Sequence, residues 1–345
     1  MLTYILIIVF LAFAFDFING FHDSANSIAT IVGTRVLSPF AAVVWAAMFN
    51  FAAALLVGTA VAKAVSSGFV VPSIVTPSVI CGALVGAITW NIITWYFGIP
   101  SSSSHALIGG FAGAALAKAG FEALVWGKKW VETLSAIALS PALGAFIGFL
   151  LMVGLFNIFR RAAPAVVDRI FRRGQLVSSA AMSVAHGSND AQKTMGIIVG
   201  LLYSVRDQFA DSTGWARHLY VADTGHIPAW VAFGAYFCIS LGTLFGGWRI
   251  VHTMGSRITR LKPVSGFAAE TAGAIVILSA SKLGIPVSTT HTITGSIVGV
   301  GATNRLSGVR WGLAGRIVWA WVFTIPASAT IAGVSYLVLA RLVAP

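Results

Sequence analysis

Five stretches of this chain are apolar for about the length needed to cross a lipid bilayer, some 20 residues in a helix. They are residues 1–15 (which run on into Asp16), 40–62, 133–157, 227–248 and 317–340. Nothing constrains the fold more. A chain with such runs must satisfy its backbone hydrogen bonds inside a hydrocarbon layer, and only helices or closed barrels do that. A barrel would show short alternating segments; these runs are long and continuous, so the expectation is an all-α polytopic membrane protein in contact with lipid. The charge content agrees. Only 9% of the 345 residues are charged, against about 25% in soluble domains. The opening run MLTYILIIVFLAFAF has no basic start and no small-residue cleavage site, so it is expected to be a retained helix rather than a signal peptide. Cys81 and Cys238 lie in apolar runs without metal-ligand spacing, which points to packing and not to a disulfide framework.

The chain also repeats itself. GIPSSSSH at 98 recurs as GIPVSTTH at 284, an offset of 186 that also matches Gly109 with Gly295 and Gly113 with Gly299. Upstream, NGFHDSANSIATIVG at 19 recurs as HGSNDAQKTMGIIVG at 186, offset 167. Downstream, Trp126-Gly127 and Pro141 recur as Trp311-Gly312 and Pro326, offset 185. Three landmarks in one order imply a duplication: 1–157, a basic linker 158–175, and 176–345. Each half reads as helix, helix, interrupted hairpin, helix. If each hairpin dips in and returns, a half crosses three times, so the second half is inverted relative to the first.

Loop charge is consistent with that topology. With the N-terminus outside, the inner loops 33–39, 158–175, 249–263 and 304–316 hold 13 Lys/Arg against the single acid Asp168. The outer segments hold 7 against five acids. Basic residues favour the cytoplasmic side, which also places the C-terminus outside. The net charge of +12 is thereby read as an orientation signal, and nucleic acid is not expected as a partner.

Outside the loops six charges remain: Asp16, Asp23, Asp190, Lys193, Glu270 and Lys282. A charge at bilayer depth costs roughly 2.5–3.5 kcal/mol on insertion scales, so such groups face a pathway or a partner. Lys282, near a segment end, reads as a snorkelling side chain. Asp16 reads as a helix cap or a supporting partner. Glu270, opposite Leu84 under the repeat, is either a site residue or one member of a structural pair. Asp23 and Asp190 are repeat mates in polar surroundings: Asn19, His22, Ser24 and Asn26 beside one, His186, Ser188, Asn189, Gln192 and Lys193 beside the other. Glycine costs about 1 kcal/mol inside a helix, so Asn19-Gly20 and His186-Gly187 predict that each helix breaks or unwinds there. The two carboxylates are the expected seat of a coupling cation.

The serine runs have a chemical reading. Pro100 and Pro286 set off the second arm of each hairpin, and Ser102, Ser103 and Ser104, like Ser288, Thr289 and Thr290, fall at its N-cap and first turn. Free N–H groups and the positive end of the helix dipole point there, which makes an oxyanion cradle. Two cradles meeting tip to tip would enclose one small oxyanion, with Asn26, Asn189, Gln192 and Lys193 lining the same site. His105 and His291 are either protonatable anion contacts or locks behind the tips.

These motifs together resemble the inorganic phosphate transporter (PiT) family, in its bacterial low-affinity branch: a duplicated Gly-Ala-Asn-Asp-type motif plus duplicated Ser/Thr hairpins running from Pro to His. The resemblance covers essentially the whole chain. It implies phosphate symport by alternating access, inverted repeats, a homodimer in a bacterial or archaeal inner membrane, and no enzymatic activity or resident cofactor. It implies proton coupling and carriage of metal–phosphate complexes, with Na⁺ or a divalent metal such as Mg²⁺ as alternative cargo. One departure bears on the ion: Lys193 stands where sodium-coupled relatives carry Asn, the residue found at Asn26 in the first motif. A fixed ammonium there either replaces one Na⁺ or helps bind the anion. Sulfate permeases of the same fold, a Na⁺-coupled phosphate symporter, an anion channel and a membrane enzyme acting on phosphate esters are the competing readings.

Overall fold

The computed structural model describes residues 1–56, 58–303 and 305–342; residue 304 of the last inner loop and residues 343–345 of the second half lie outside them. The described residues form α-helices and short helical turns and no strand, apart from one isolated bridge between Val70 and Leu124. The helices fall into two matching series. The first is α1 (Leu2–Gly33), α2 (Pro39–Leu56), α3 (Ala60–Ser67), α4 (Pro77–Tyr96), α5 (Ser103–Ala119) and α6 (Lys128–Phe159). The second is α7 (Pro164–Ser204), α8 (Ala229–Phe245), α9 (Trp248–His252), α10 (Pro263–Lys282), α11 (Thr289–Ala302) and α12 (Trp311–Leu342).

Six of these helices are long and apolar enough to span a membrane, and a seventh span results if α8 and the helical turn after it count as one. The long helix α7 is not among the six. Its stretch from Ser178 to Leu202 is almost wholly buried in protein, so it needs no lipid-facing apolar surface. The hairpin arms α5 and α11, 17 and 14 residues long, measure roughly 26 and 21 Å at 1.5 Å per residue. Both are shorter than the ~30 Å hydrocarbon core.

Packing explains the hairpins. α4 and α10 each end on a glycine at positive φ, Gly98 (65°) and Gly284 (66°). The Ile99 N–H donates to Thr94 O and that of Gly98 to Trp95 O; Ile285 and Gly284 do the same to Ala280 and Ser281. This is the helix stop that glycine favours, and the following proline cannot extend the helix. The returning arms then cross into the other half. α5 lies on α12, where a Cβ on Gly113 would meet Ala329 O at 2.1 Å. α11 lies on α6, where one on Gly299 would meet Ala145 O at 2.0 Å. Each half is therefore built into the other.

The expected breaks in α1 and α7 are not found. Both helices run unbroken through Gly20 and Gly187. The two glycines serve close approach instead: a Cβ on Gly20 would sit 2.0 Å from Ile239 O of α8, and one on Gly187 2.7 Å from Asn50 O of α2. The interruption lies in the second helix of each half, between α2 and α3 and at a 64° bend after α8 at Gly246-Gly247. The linker also differs from a loop. α7 begins at Pro164, a favoured first helical position, so most of 158–175 is helix, and Arg172 pairs with Asp168 at 2.9 Å.

The polar layer sits between two apolar clusters. One contains apolar residues from Ile5 to Phe15 of α1 and from Ala191 to Leu202 of α7; the other contains apolar residues from Ala25 to Ile31 of α1 and Met182 and Ala185 of α7. Residues 16–24 and 186–190 lie at the seam.

Candidate functional site

At that seam the two hairpin tips meet two carboxylates. Ser102 and Ser288 cap their helices, each hydroxyl accepting the N–H of the histidine three residues on at 3.2 Å. That orientation delivers the next two hydroxyls of each tip inward. Ser103 donates to Asp23 Oδ1 at 3.2 Å and Thr290 to Asp23 Oδ2 at 3.4 Å. Ser104 donates to Asp190 Oδ1 at 3.5 Å and Thr289 to Asp190 Oδ2 at 3.2 Å. Each carboxylate is thus held by one hydroxyl from each half, and all six residues are at most 3% exposed.

The surroundings of the carboxylates differ. Asp23 Oδ1 lies 2.5 Å from His22 Nδ1, and His22 Nε2 lies 2.9 Å from Thr94 Oγ1. The Thr94 hydroxyl donates to Trp90 O at 3.0 Å and accepts from Ser101 at 2.9 Å. It therefore accepts from His22, whose Nε2 carries hydrogen. The Nδ1–Oδ1 contact then requires a further proton between ring and carboxylate. Asn26, one turn on, donates to Thr289 and Thr290 Oγ1 at 3.1 and 2.9 Å, and its own Oδ1 is buried without a partner.

Asp190 Oδ1 lies 2.5 Å from Lys193 Nζ, which also reaches Ser104 Oγ at 2.5 Å, Val287 O at 2.9 Å and Asn189 Oδ1. Asn189 donates to Ser281 at 2.9 Å. His186 Nε2 stands 3.4 Å from Asp190 Oδ2, and its Nδ1 3.2 Å from Asn50 Oδ1. Asp23, His186 and Asp190 present ligand-capable atoms within 4.8 Å of one another, a set that can receive a cation.

Lys193 meets both hairpin tips, at Ser104 and at Val287, with its ammonium paired to Asp190. Some expected site residues stand elsewhere. Gln192 faces away from the tips: its Oε1 accepts from Val61 N at 2.9 Å and Ala62 N at 3.3 Å, closing the start of α3, and its Nε2 donates to Ser188 O. Glu270 belongs to a separate buried cluster, accepting from Thr30 at 2.5 Å, from Gln175 at 2.9 Å and from Ser178. Asp16 is buried beside Thr194 and Asn19, and Asn19 Oδ1 has no hydrogen-bond partner. His105 and His291 meet edge to face, centroids 4.7 Å apart, and His291 stacks on Trp321 at 3.9 Å. They join the tips to each other and to α12. Lys282 ends α10 with an exposed side chain.

Sequence reasoning missed Thr94 and Asn50, which orient His22 and His186. Asn50 also donates to Thr243 at 2.9 Å. As the only amide within the apolar run of α2, Asn50 carried a readable signal.

Fold and site together define an integral membrane transport protein, with a sealed polar centre held between two halves. The chain belongs to the phosphate transporter family, whose profile matches residues 19–332. A Rhizobium meliloti protein named "Probable low-affinity inorganic phosphate transporter" is 55% identical over 329 residues, covering 95% of this chain and 94% of that one. A Bacillus subtilis protein of the same name is 45% identical over 336 residues, covering 97% and 96%. A solved structure titled "The sodium-dependent phosphate transporter" superposes with TM-score 0.87 at 26% identity, covering 99% of this chain and 100% of that one.

Proposed function

We propose that this protein is a secondary active symporter that imports inorganic phosphate together with protons by alternating access. The observation that carries the reading is that the four hydroxyls suited to hold an oxyanion, on Ser103, Ser104, Thr289 and Thr290, are committed to the two carboxylates. A hydroxyl has one proton to give. A carboxylate whose charge is not balanced competes with phosphate for those protons and repels it. A cation on the carboxylates removes both obstacles, and the hydroxyls turn to the anion beside the free N–H groups of α5 and α11. Cation and phosphate then bind together or not at all, which is the requirement for coupling. The proton between His22 and Asp23 is the cation this network accommodates without rearrangement.

The two halves act as inverted repeats, with both termini outside a bacterial inner membrane and the assembly a homodimer. A cysteine placed at Ser212 should accordingly be labelled from outside only. Counterflow of labelled phosphate in proteoliposomes, with pH, Na⁺ and Mg²⁺ varied separately, tests the rest. Accumulation driven by an inward proton gradient without Na⁺ is expected. Sulfate exchanged as readily as phosphate, or an anion current indifferent to every cation gradient, would overturn the reading.

A further inference from the structure

Lys193 and Asn26 are the same position of the duplicated motif, offset 167, and the structure gives them different work. The Lys193 ammonium is surrounded by a carboxylate oxygen of Asp190, the Ser104 hydroxyl, the Asn189 amide oxygen and the Val287 carbonyl. That is an all-oxygen donor set of mixed charge, the kind a small hard cation takes. An ammonium carries only three protons, so four close oxygens resemble a coordination shell more than a set of separate hydrogen bonds. At the equivalent place beside Asp23 there is no lysine or arginine among the described residues. Asn26 uses its Nδ2 on the hairpin hydroxyls and leaves a buried Oδ1 with no partner, an oxygen available to a mobile ion.

We infer that Lys193 is a built-in cation filling one of two repeat-related cation sites. The transporter therefore binds a single mobile cation, at Asp23, and a latent alkali-cation site lies under the ammonium. This rests on the proposed symport, since a coupling cation has meaning only there. The ammonium balances the Asp190 charge through the cycle, so the Ser104 and Thr289 hydroxyls, which donate to Asp190 here, can turn to phosphate whatever the ion gradients. Lys193 is a specificity-determining residue: it removes Na⁺ from the Asp190 side by occupying its place.

The test replaces the ammonium with what the other half carries. In Lys193→Asn, a second amide oxygen joins the vacated donor set and Na⁺ can enter. Two readouts are taken on purified protein: thermal unfolding in NaCl against choline chloride without phosphate, and phosphate counterflow in the same salts. Wild type should respond alike to both salts in both readouts. Lys193→Asn should melt several degrees higher in NaCl, and its half-saturating phosphate concentration should fall about tenfold with Na⁺, within the usual range of coupling between sites. Lys193→Ala, which leaves a cavity, should be rescued by Na⁺, ammonium or methylammonium and not by choline. Variants that fold but ignore these cations would overturn the inference, as would failure to recover either variant folded in NaCl buffer, since Na⁺ would then not stand in for the ammonium. Wild type without phosphate counterflow would instead sink the proposed function, while the unfolding measurements would still decide the cation site.

Discussion

Asp23 and Asp190 occupy matching positions, on matching helices, under matching pairs of hydroxyls, yet their charges are balanced differently. Asp190 is paired at 2.5 Å with Lys193, a cation fixed to its own helix three residues on. Asp23 is paired at 2.5 Å with His22, an imidazole that can hold one proton or two rather than a fixed ammonium. In the proposed mechanism the differences at two matching positions, His22 against Asn189 and Lys193 against Asn26, make one socket permanent and the other switchable. A socket that never empties keeps part of the anion site formed, and one that empties links the anion to a gradient.

A second contrast runs through the packing. α4 closes on α12 through Gly82 and Gly86, where a Cβ would meet Ala332 O at 3.1 Å and Ala332 Cβ at 2.6 Å. Their repeat mates are Ala268 and Ala272, and beside them α10 stands off from α6 across an apolar cleft of about 590 Å³ reaching Ile285 and Val287. The second hairpin is accordingly the less tightly clamped of the two.

The sharpest way to break the comparison is Asp190→Asn. It strands the Lys193 ammonium, 2% exposed, without its counter-ion. Breaking a buried pair costs about 3–5 kcal/mol, so thermal unfolding should show a large loss of stability along with lost uptake. Asp23→Asn removes no partner of a fixed charge. It should abolish proton-driven uptake in vesicles while the melting temperature stays close to wild type. Equal stability losses in the two variants would erase the distinction between the sockets. Smaller effects are expected at the hydroxyls. Ser103→Ala on the switchable side and Thr289→Ala on the fixed side each remove one donor, worth roughly 1.5–3 kcal/mol to a charged acceptor, or about tenfold to a hundredfold in phosphate affinity. A loss of stability with affinity intact would make these hydroxyls helix supports only. Ser66→Ala, whose hydroxyl donates to the carbonyls of Lys63 and Thr224, should stay within about 0.5 kcal/mol of wild type.

Much of this was written in the sequence because duplication doubles every signal. The Ser/Thr runs after Gly-Ile-Pro and the paired aspartates stand at matching places in the two helix series, whereas the apolar run at 1–15 has no apolar counterpart in α7. The misreadings have physical causes. A glycine beside Asn19 or His186 reads alike whether it unwinds a helix or lets another helix touch it, and only the neighbour's carbonyl decides. Gln192 was legible in principle: at 100° per residue it lies about 200° round the helix from Asp190, so it had to face away, whereas Asn26 and Lys193, three residues on, share the aspartates' face. The partners of Glu270, which are Thr30, Gln175 and Ser178 on two other helices, follow no spacing in the chain.

The central claim is that the exchangeable cation sits with Asp23 and not with Asp190. Phosphate binding to purified wild type and Asp23→Asn, titrated across pH without Na⁺, tests it most directly, because the ratio of the two affinities cancels the titration of phosphate itself. A proton taken up by the His22–Asp23 pair removes a negative charge that repels the anion, so wild type should gain affinity relative to the variant as pH falls, while the amide leaves the variant without that response. Parallel pH dependence in the two proteins would contradict the account.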